Sequence, residues 1–91
     1  MTRRKATETE EQSVVYVIYS DSHQRQHIGI TDNTEEILDM HNAGRVLSTS
    51  PYKPWRMIHT EDVESRPAAK KRETFLKSSA GRAWILRTYK V

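Results

Sequence analysis

Ala69, Glu73 and Leu76 are spaced i, i+4 and i+7, which puts all three on one face of a helix. A carboxylate on an apolar stripe is costly to bury unless it is paired or binds a metal ion, so Glu73 is a candidate site residue. The alternative is a helix-surface glutamate bonded to Lys70 or Lys77. Tyr16, inside the apolar run SVVYVIYS, is a second candidate. A strand tyrosine ordinarily packs in a core or an interface, and only its neighbours make it a proton-transfer group. The four histidines, His23, His27, His41 and His59, form no HExxH motif and have no cysteine pair to complete a zinc set, so any metal cluster has to be assembled by folding. His27 and His41 flank a turn and a helix and could converge with Glu73 as a small-molecule or metal site. A lone surface or cap histidine is the commoner outcome. The chain has no glycine-rich phosphate loop, Walker-type lysine or serine-nucleophile elbow, which leaves nucleotide hydrolysis and acyl transfer poorly supported.

These residues have to be positioned by a short chain. SVVYVIYS is β-branched and aromatic and too short for a helix, so it reads as a buried strand. SDSHQR turns the chain and QHIGIT returns as a hairpin partner, with Gly29 marking either a bulge or a place where another group approaches the backbone. Asp32 or Asn33 can cap the helix TEEILDMHN, which buries Ile37 and Leu38 and stops at Gly44. STSPYKP is a loop and WRMIHTEDV a third strand; Ser65 caps a second helix with Pro67 in its first turn, running to about Ser78. In AGRAWILRTYKV, Trp84, Ile85 and Leu86 can pack as a short helix or as an extended closing segment. The order β-β-α-β-α-(α) predicts an α+β domain with helices flanking a central three-stranded sheet.

At 91 residues the chain makes one domain with a thin core. Residues 1–12 are polar and mixed in charge, a composition expected of a flexible tail, which leaves 13–91 as the domain. The absence of cysteine excludes a disulfide framework, a thiolate nucleophile and cysteine-ligated zinc. With no apolar run of membrane-spanning length and no secretory signal at the N-terminus, a cytoplasmic location without membrane association is the expectation. Charge divides sharply. Residues 1–44 hold four Lys/Arg against eight Asp/Glu, and residues 45–91 hold eleven against four, so the halves carry −4 and +7. The basic half has the electrostatic footprint of a polyanion binder, or else is a solvated surface.

The landmarks in order are VYVIYS, HIGIT, a helix ending in HNAG, SPYKPW, RMIHTE and SRPAAKKRETFLKSSAGRAWI. Together they resemble the small stand-alone GIY-YIG nuclease-like domains, over residues 14 to about 86. The resemblance implies a three-stranded antiparallel sheet flanked by helices and a divalent-metal-dependent endonuclease using Mg2+ or Mn2+. In active members a tyrosine from each tripeptide motif, an arginine on the first helix and a metal-binding glutamate on the next helix direct water onto a phosphodiester. Carried over by position, the resemblance makes Tyr16, His27 and Glu73 the catalytic set, with Glu73 the metal ligand and Gly29 the motif glycine. His27 replaces the second-motif tyrosine and Ile37 replaces the arginine, in a register that reads EEILDMH.

Losing a cation that stabilises a developing oxyanion costs on the order of a hundredfold in rate, so the resemblance implies weakened or lost phosphodiester hydrolysis. Arg25, Arg45 or another loop arginine would have to reach in from elsewhere. DNA or another nucleic acid is expected against Arg45, Lys53, Arg56, Lys70, Lys71 and Arg82. The alternative is a non-catalytic nucleic-acid-binding or protein-interaction module on the same fold, whose acidic half meets a protein partner or a second copy in a homodimer.

Overall fold

The computed structural model describes residues 13–91, so the expected N-terminal tail lies outside the described residues. Ser13–Ser20 forms β1, the central strand of a three-stranded antiparallel sheet in the order β2-β1-β3, with β2 spanning Arg25–Thr31 and β3 Arg56–Val63. Its central place explains its unbroken apolar run. Val15 and Val17 point to one face and Tyr16 and Ile18 to the other, and both faces are covered. Between Val17 and Ile18 the pairing with β3 slips from His59 to Met57, leaving Ile58 as the extra residue of a bulge.

Among the described residues three α-helices flank the sheet: α1 at Thr34–Asn42, α2 at Arg66–Lys77 and α3 at Ser79–Tyr89. The expected α+β order is therefore observed, and the closing segment is the third helix. Asn33 rather than Asp32 caps α1, its Oδ1 accepting from the Glu36 amide at 3.0 Å, and Glu35 and Glu36 in the first turn complement the helix dipole. Ser65 caps α2. One residue, Ser78, both ends α2 and caps α3, so the chain reverses between the two helices with no intervening loop. None of the described helices is long and apolar enough to cross a membrane.

The sheet separates two apolar clusters. Val15, Val17, Ile28, Ala69, Leu76 and Ile85 join β1 and β2 to α2 and α3; Tyr16, Ile18 and Trp55, with Ile37, Leu38, Tyr52 and Met57 against them, form the cluster under α1. Trp55 lies just outside the third strand, although sequence placed it at the strand's first position. The Asn42 side chain explains the difference: its amide donates to the Trp55 carbonyl at 3.0 Å and its oxygen accepts from the Trp55 amide at 2.6 Å, withdrawing both backbone groups from the ladder.

A polar network ties the first cluster's rim together. Arg72 donates twice to Glu61, at 2.7 and 2.9 Å, and His59 bonds to Glu61 at 2.8 Å through Nε2 and to the Tyr89 hydroxyl through Nδ1. The Arg72 hydrogen bond holds the Glu61 carboxyl below its ordinary value, against burial that would raise it. Because the folded value is the lower one, this stabilisation is present above the unfolded pKa of about 4.3 and is lost as pH falls through the folded value. Glu61→Gln is expected to lose about 1–2 kcal/mol in urea denaturation at pH 7, a figure discounted for the partial exposure of Arg72. The deficit should shrink as the pH falls below about 4; a deficit that does not change with acidification would mean that the carboxylate charge contributes nothing.

Candidate active site

Tyr16 and Gly29 are direct cross-strand partners on the sheet face under α1. A Cβ on residue 29 would come within 2.6 Å of the Tyr16 hydroxyl and 2.7 Å of the ring carbon bearing it, so the glycine makes room for the phenol. His27 shares this face two residues earlier, opposite Ile18. From α1 comes His41, one turn beyond Ile37 and almost fully buried. The His27 and His41 rings lie 4.9 Å apart between centroids, Tyr16 is 6.2 and 5.9 Å from them, and Trp55 closes the group at 6.4 and 6.5 Å.

A hydrogen-bond chain assigns the protons within this group. The Thr49 hydroxyl donates to the Val46 carbonyl at 3.2 Å, so its oxygen is left to accept from His41 Nδ1 at 2.7 Å. His41 Nε2 is then the bare nitrogen, and it accepts from the Tyr16 hydroxyl at 2.9 Å. Thr49 is fixed in turn by Trp55, whose indole N–H donates to the Thr49 carbonyl at 3.0 Å. His41 is thus oriented as a base toward the phenol. Burial, with the negative charge of Glu73 adding to it, pushes the Tyr16 hydroxyl up to about 12 and keeps it protonated near neutral pH. Burial lowers the His41 pKa. It also lowers that of His27, to about 4, with the charges of His41, Lys77 and Arg82 acting the same way and Glu73 opposing them. Both imidazoles are therefore neutral at pH 7.

Glu73 lies on α2. Its side chain is 12% exposed, and its two oxygens are both taken: Oε1 by Lys70 Nζ and Oε2 by Lys77 Nζ, each at 3.2 Å. Sequence offered a choice between an apolar-stripe carboxylate and a surface glutamate bonded to one lysine or the other. In the structure Glu73 is mostly buried and bonded to both. Burial would raise its carboxyl, but the hydrogen bonds from Lys70 and Lys77 outweigh that and lower it.

The structure brings Tyr16, His27, Gly29 and His41 together on one face of the sheet, and the charge of Glu73 acts on Tyr16 and His27. Ile37 packs into the apolar cluster of Tyr16, Ile18 and Trp55. The arginines that sequence offered as a cation from elsewhere are spread out. The Arg25 guanidinium stacks 4.2 Å from the Tyr52 ring centroid; Arg56 donates to Asp21 at 2.7 and 3.1 Å; Arg45 lines an open cavity of about 290 Å³ on the outer side of α1 with Glu36, Asp39, Met40 and Ala43. Arg82, whose Nε donates to the Lys77 carbonyl at 3.1 Å, is the arginine whose charge bears on His27.

Thr49, Trp55 and Asn42 organise the site without any sequence signal, because they meet only through the fold. His41 had one: it stands i+4 from Ile37, so a helix that faces residue 37 to the site also faces residue 41 there.

A divalent ion would find one carboxylate here, with an ammonium group on each oxygen. Among the described residues no three His, Cys, Asp or Glu side chains cluster as ligands. This donor set does not fit a resident metal ion as it stands. In comparison with known proteins, the family model described as the GIY-YIG catalytic domain matches residues 12–89. No curated protein and no solved structure matches the chain.

Proposed function

The chain belongs to the GIY-YIG family and is thereby related to nucleases, and from that premise we propose that it is a nucleic-acid-binding domain whose phosphodiester hydrolysis is weakened or lost. The observation that carries the reading is Ile37. It lies one helical turn from His41, whose ring is in the site, and it offers hydrocarbon where hydrolysis needs a cation against the developing phosphate charge. The neutral imidazoles of His27 and His41 supply none either. What remains is proton-handling machinery, a phenol donating to an imidazole, with its charge-stabilising part missing.

Binding is supported by the other cations. Lys70, Lys71, Lys77 and Arg82 belong to α2 and α3, which together carry the excess of basic residues in the C-terminal half. Lys53 and Arg56 would extend such a surface, Arg56 while still paired to exposed Asp21. Arg45 contributes less, because Glu36 and Asp39 share its cavity and repel phosphate.

The test incubates the protein with supercoiled and branched DNA in Mg2+ or Mn2+. The expected result is salt-sensitive retention of DNA without cutting, by the wild-type protein and by Ile37→Arg alike, since the Glu73 carboxylate stays occupied in both. Cutting by the wild type that disappears in Glu73→Ala would establish a working nuclease and overturn the loss of hydrolysis. Failure to retain DNA at low salt would remove the nucleic-acid reading.

A further inference from the structure

We infer that Lys70 and Lys77 form a built-in replacement for a divalent cation at Glu73, giving this chain a metal-independent site for a nucleic-acid phosphate. The inference rests on the proposed function, in that Glu73 holds the family's metal position and the ligand is a phosphodiester.

Charge and geometry lead to it together. A glutamate with a bound divalent ion carries a net charge of +1, and so does a glutamate with two ammonium groups. Lys70 and Lys77 stand three residues before and four residues after Glu73, so both reach the same face of α2 and bracket the carboxylate, one on each oxygen at 3.2 Å. Magnesium requires oxygens at about 2.0–2.1 Å in an octahedral shell, and an entering ion would meet like charge on both sides of the Glu73 carboxylate. The lysines are not sealed in by this arrangement. Their side chains are 66% and 50% exposed, and each ammonium spends one of its three donors on Glu73. The remaining N–H groups are available to phosphate oxygens.

The site is continuous with the catalytic framework. The Lys77 charge is felt at His27, as is that of Arg82, whose guanidinium is held by the Lys77 carbonyl at the junction of α2 and α3. Lys77 and Arg82 therefore bring two positive charges within electrostatic reach of the ring that replaces the second-motif tyrosine. A phosphate settling there meets fixed cations that need no ion from solution and carry no metal-bound water.

Two measurements on the full chain test this independently of each other. In the first, Mn2+ is titrated into the free protein and paramagnetic broadening of backbone amides is followed. The wild type should show no selective broadening around Glu73, whereas Lys70→Met/Lys77→Met should broaden there at about tenfold lower Mn2+ or less, once the carboxylate is released. Selective broadening of the wild type at the same Mn2+ concentration as the double variant would overturn the replacement. Lys77→Gln alone, at a half-exposed position, gives the same comparison should the double variant fold poorly.

In the second measurement, single-stranded and duplex DNA binding is compared in EDTA and in Mg2+ at matched ionic strength. Wild-type affinity should agree within about twofold between the two, and the double variant should bind about tenfold more weakly in EDTA and recover part of the loss in Mg2+. Wild-type binding that requires Mg2+ would overturn the metal-independent site. Absence of binding in both buffers would overturn the phosphate ligand along with the proposed function, while the Mn2+ titration would still decide the replacement at Glu73.

Discussion

Gly81→Ala is expected to destabilise the protein by about 3 kcal/mol, at the upper end of what overpacking a core position costs. A Cβ at residue 81 would run into the Phe75 carbonyl oxygen and come within 2.5 Å of the Leu76 Cα and 2.8 Å of its carbonyl carbon. These are backbone atoms of α2, so no side-chain rotation relieves the clash, and the two helices must separate. The close approach follows from the missing loop: with Ser78 serving as both the end of α2 and the cap of α3, the first turn of α3 rests directly on the last turn of α2. Leu76 and Ile85 are both fully buried in the cluster that the separation would open. For a domain of this size the loss corresponds to a fall in Tm of roughly 12–24 °C, measurable by thermal denaturation. A fall of only a few degrees would mean that the helices can pivot at Ser78. The same substitution should weaken DNA binding at temperatures where the protein remains folded, since Arg82 sits next to residue 81 and reaches the Lys77 carbonyl across this junction.

The elements that could be read from sequence are those whose signals are local. SVVYVIYS is apolar on both faces because it is the central strand, and the reversal at SDSHQR makes its hairpin with QHIGIT the simplest pairing; the Tyr16 to Gly29 register follows from those two facts. The helix caps carried local signals too, although choosing Asn33 over Asp32 depended on which residue Thr31 holds in place, through its Oγ1 accepting from the Asn33 amide at 3.1 Å. The last helix was ambiguous because Trp84, Ile85 and Leu86 are consecutive, and three adjacent apolar residues carry no period. In the helix they divide: Ile85 is buried, Trp84 packs at the edge of the core, and Leu86 is left 42% exposed.

Within the site, what could be read was which residues stand at which position, and what could not was who neutralises whom. Glu73 offered two lysines at helical spacing, and nothing local says that both are used. Thr49 and Trp55 come from the segment between α1 and β3, where no periodicity aims a side chain, and their contacts with His41 and Asn42 are set by tertiary packing alone. Yet these contacts decide the tautomer of His41 and hence what Tyr16 can do. The identities of residues 27 and 37 are visible as letters, but the charge their surroundings leave on the site is a property of the fold.

That charge makes a second large prediction. His27 titrates near 4 in the folded protein because burial disfavours its cation first and the neighbouring charges of His41, Lys77 and Arg82 disfavour it further, while in the unfolded chain it titrates near 6.5. The folded value is the lower one, so between these limits the unfolded state binds more protons, and stability rises with pH. It is fully present above about 6.5 and lost as pH falls toward 4, with an amplitude of about 3 kcal/mol, of which about 2 kcal/mol should go between pH 7 and pH 5. His41, lowered by burial, acts in the same direction, and the carboxyl groups of Glu61 and Glu73, held low by their partners, add their losses only at more acid pH. Urea denaturation of the wild type and of His27→Gln at pH 7 and pH 5 isolates the His27 share: the wild type should lose about 2 kcal/mol more than the variant over this interval. Equal losses, or a His27 ring resonance that titrates near 6.5, would show the imidazole to be solvated. Such a ring would be partly protonated near neutrality and could lend the site a positive charge, whereas a ring that stays neutral down to pH 5 leaves any bound phosphate to the lysines of α2 and to Arg82.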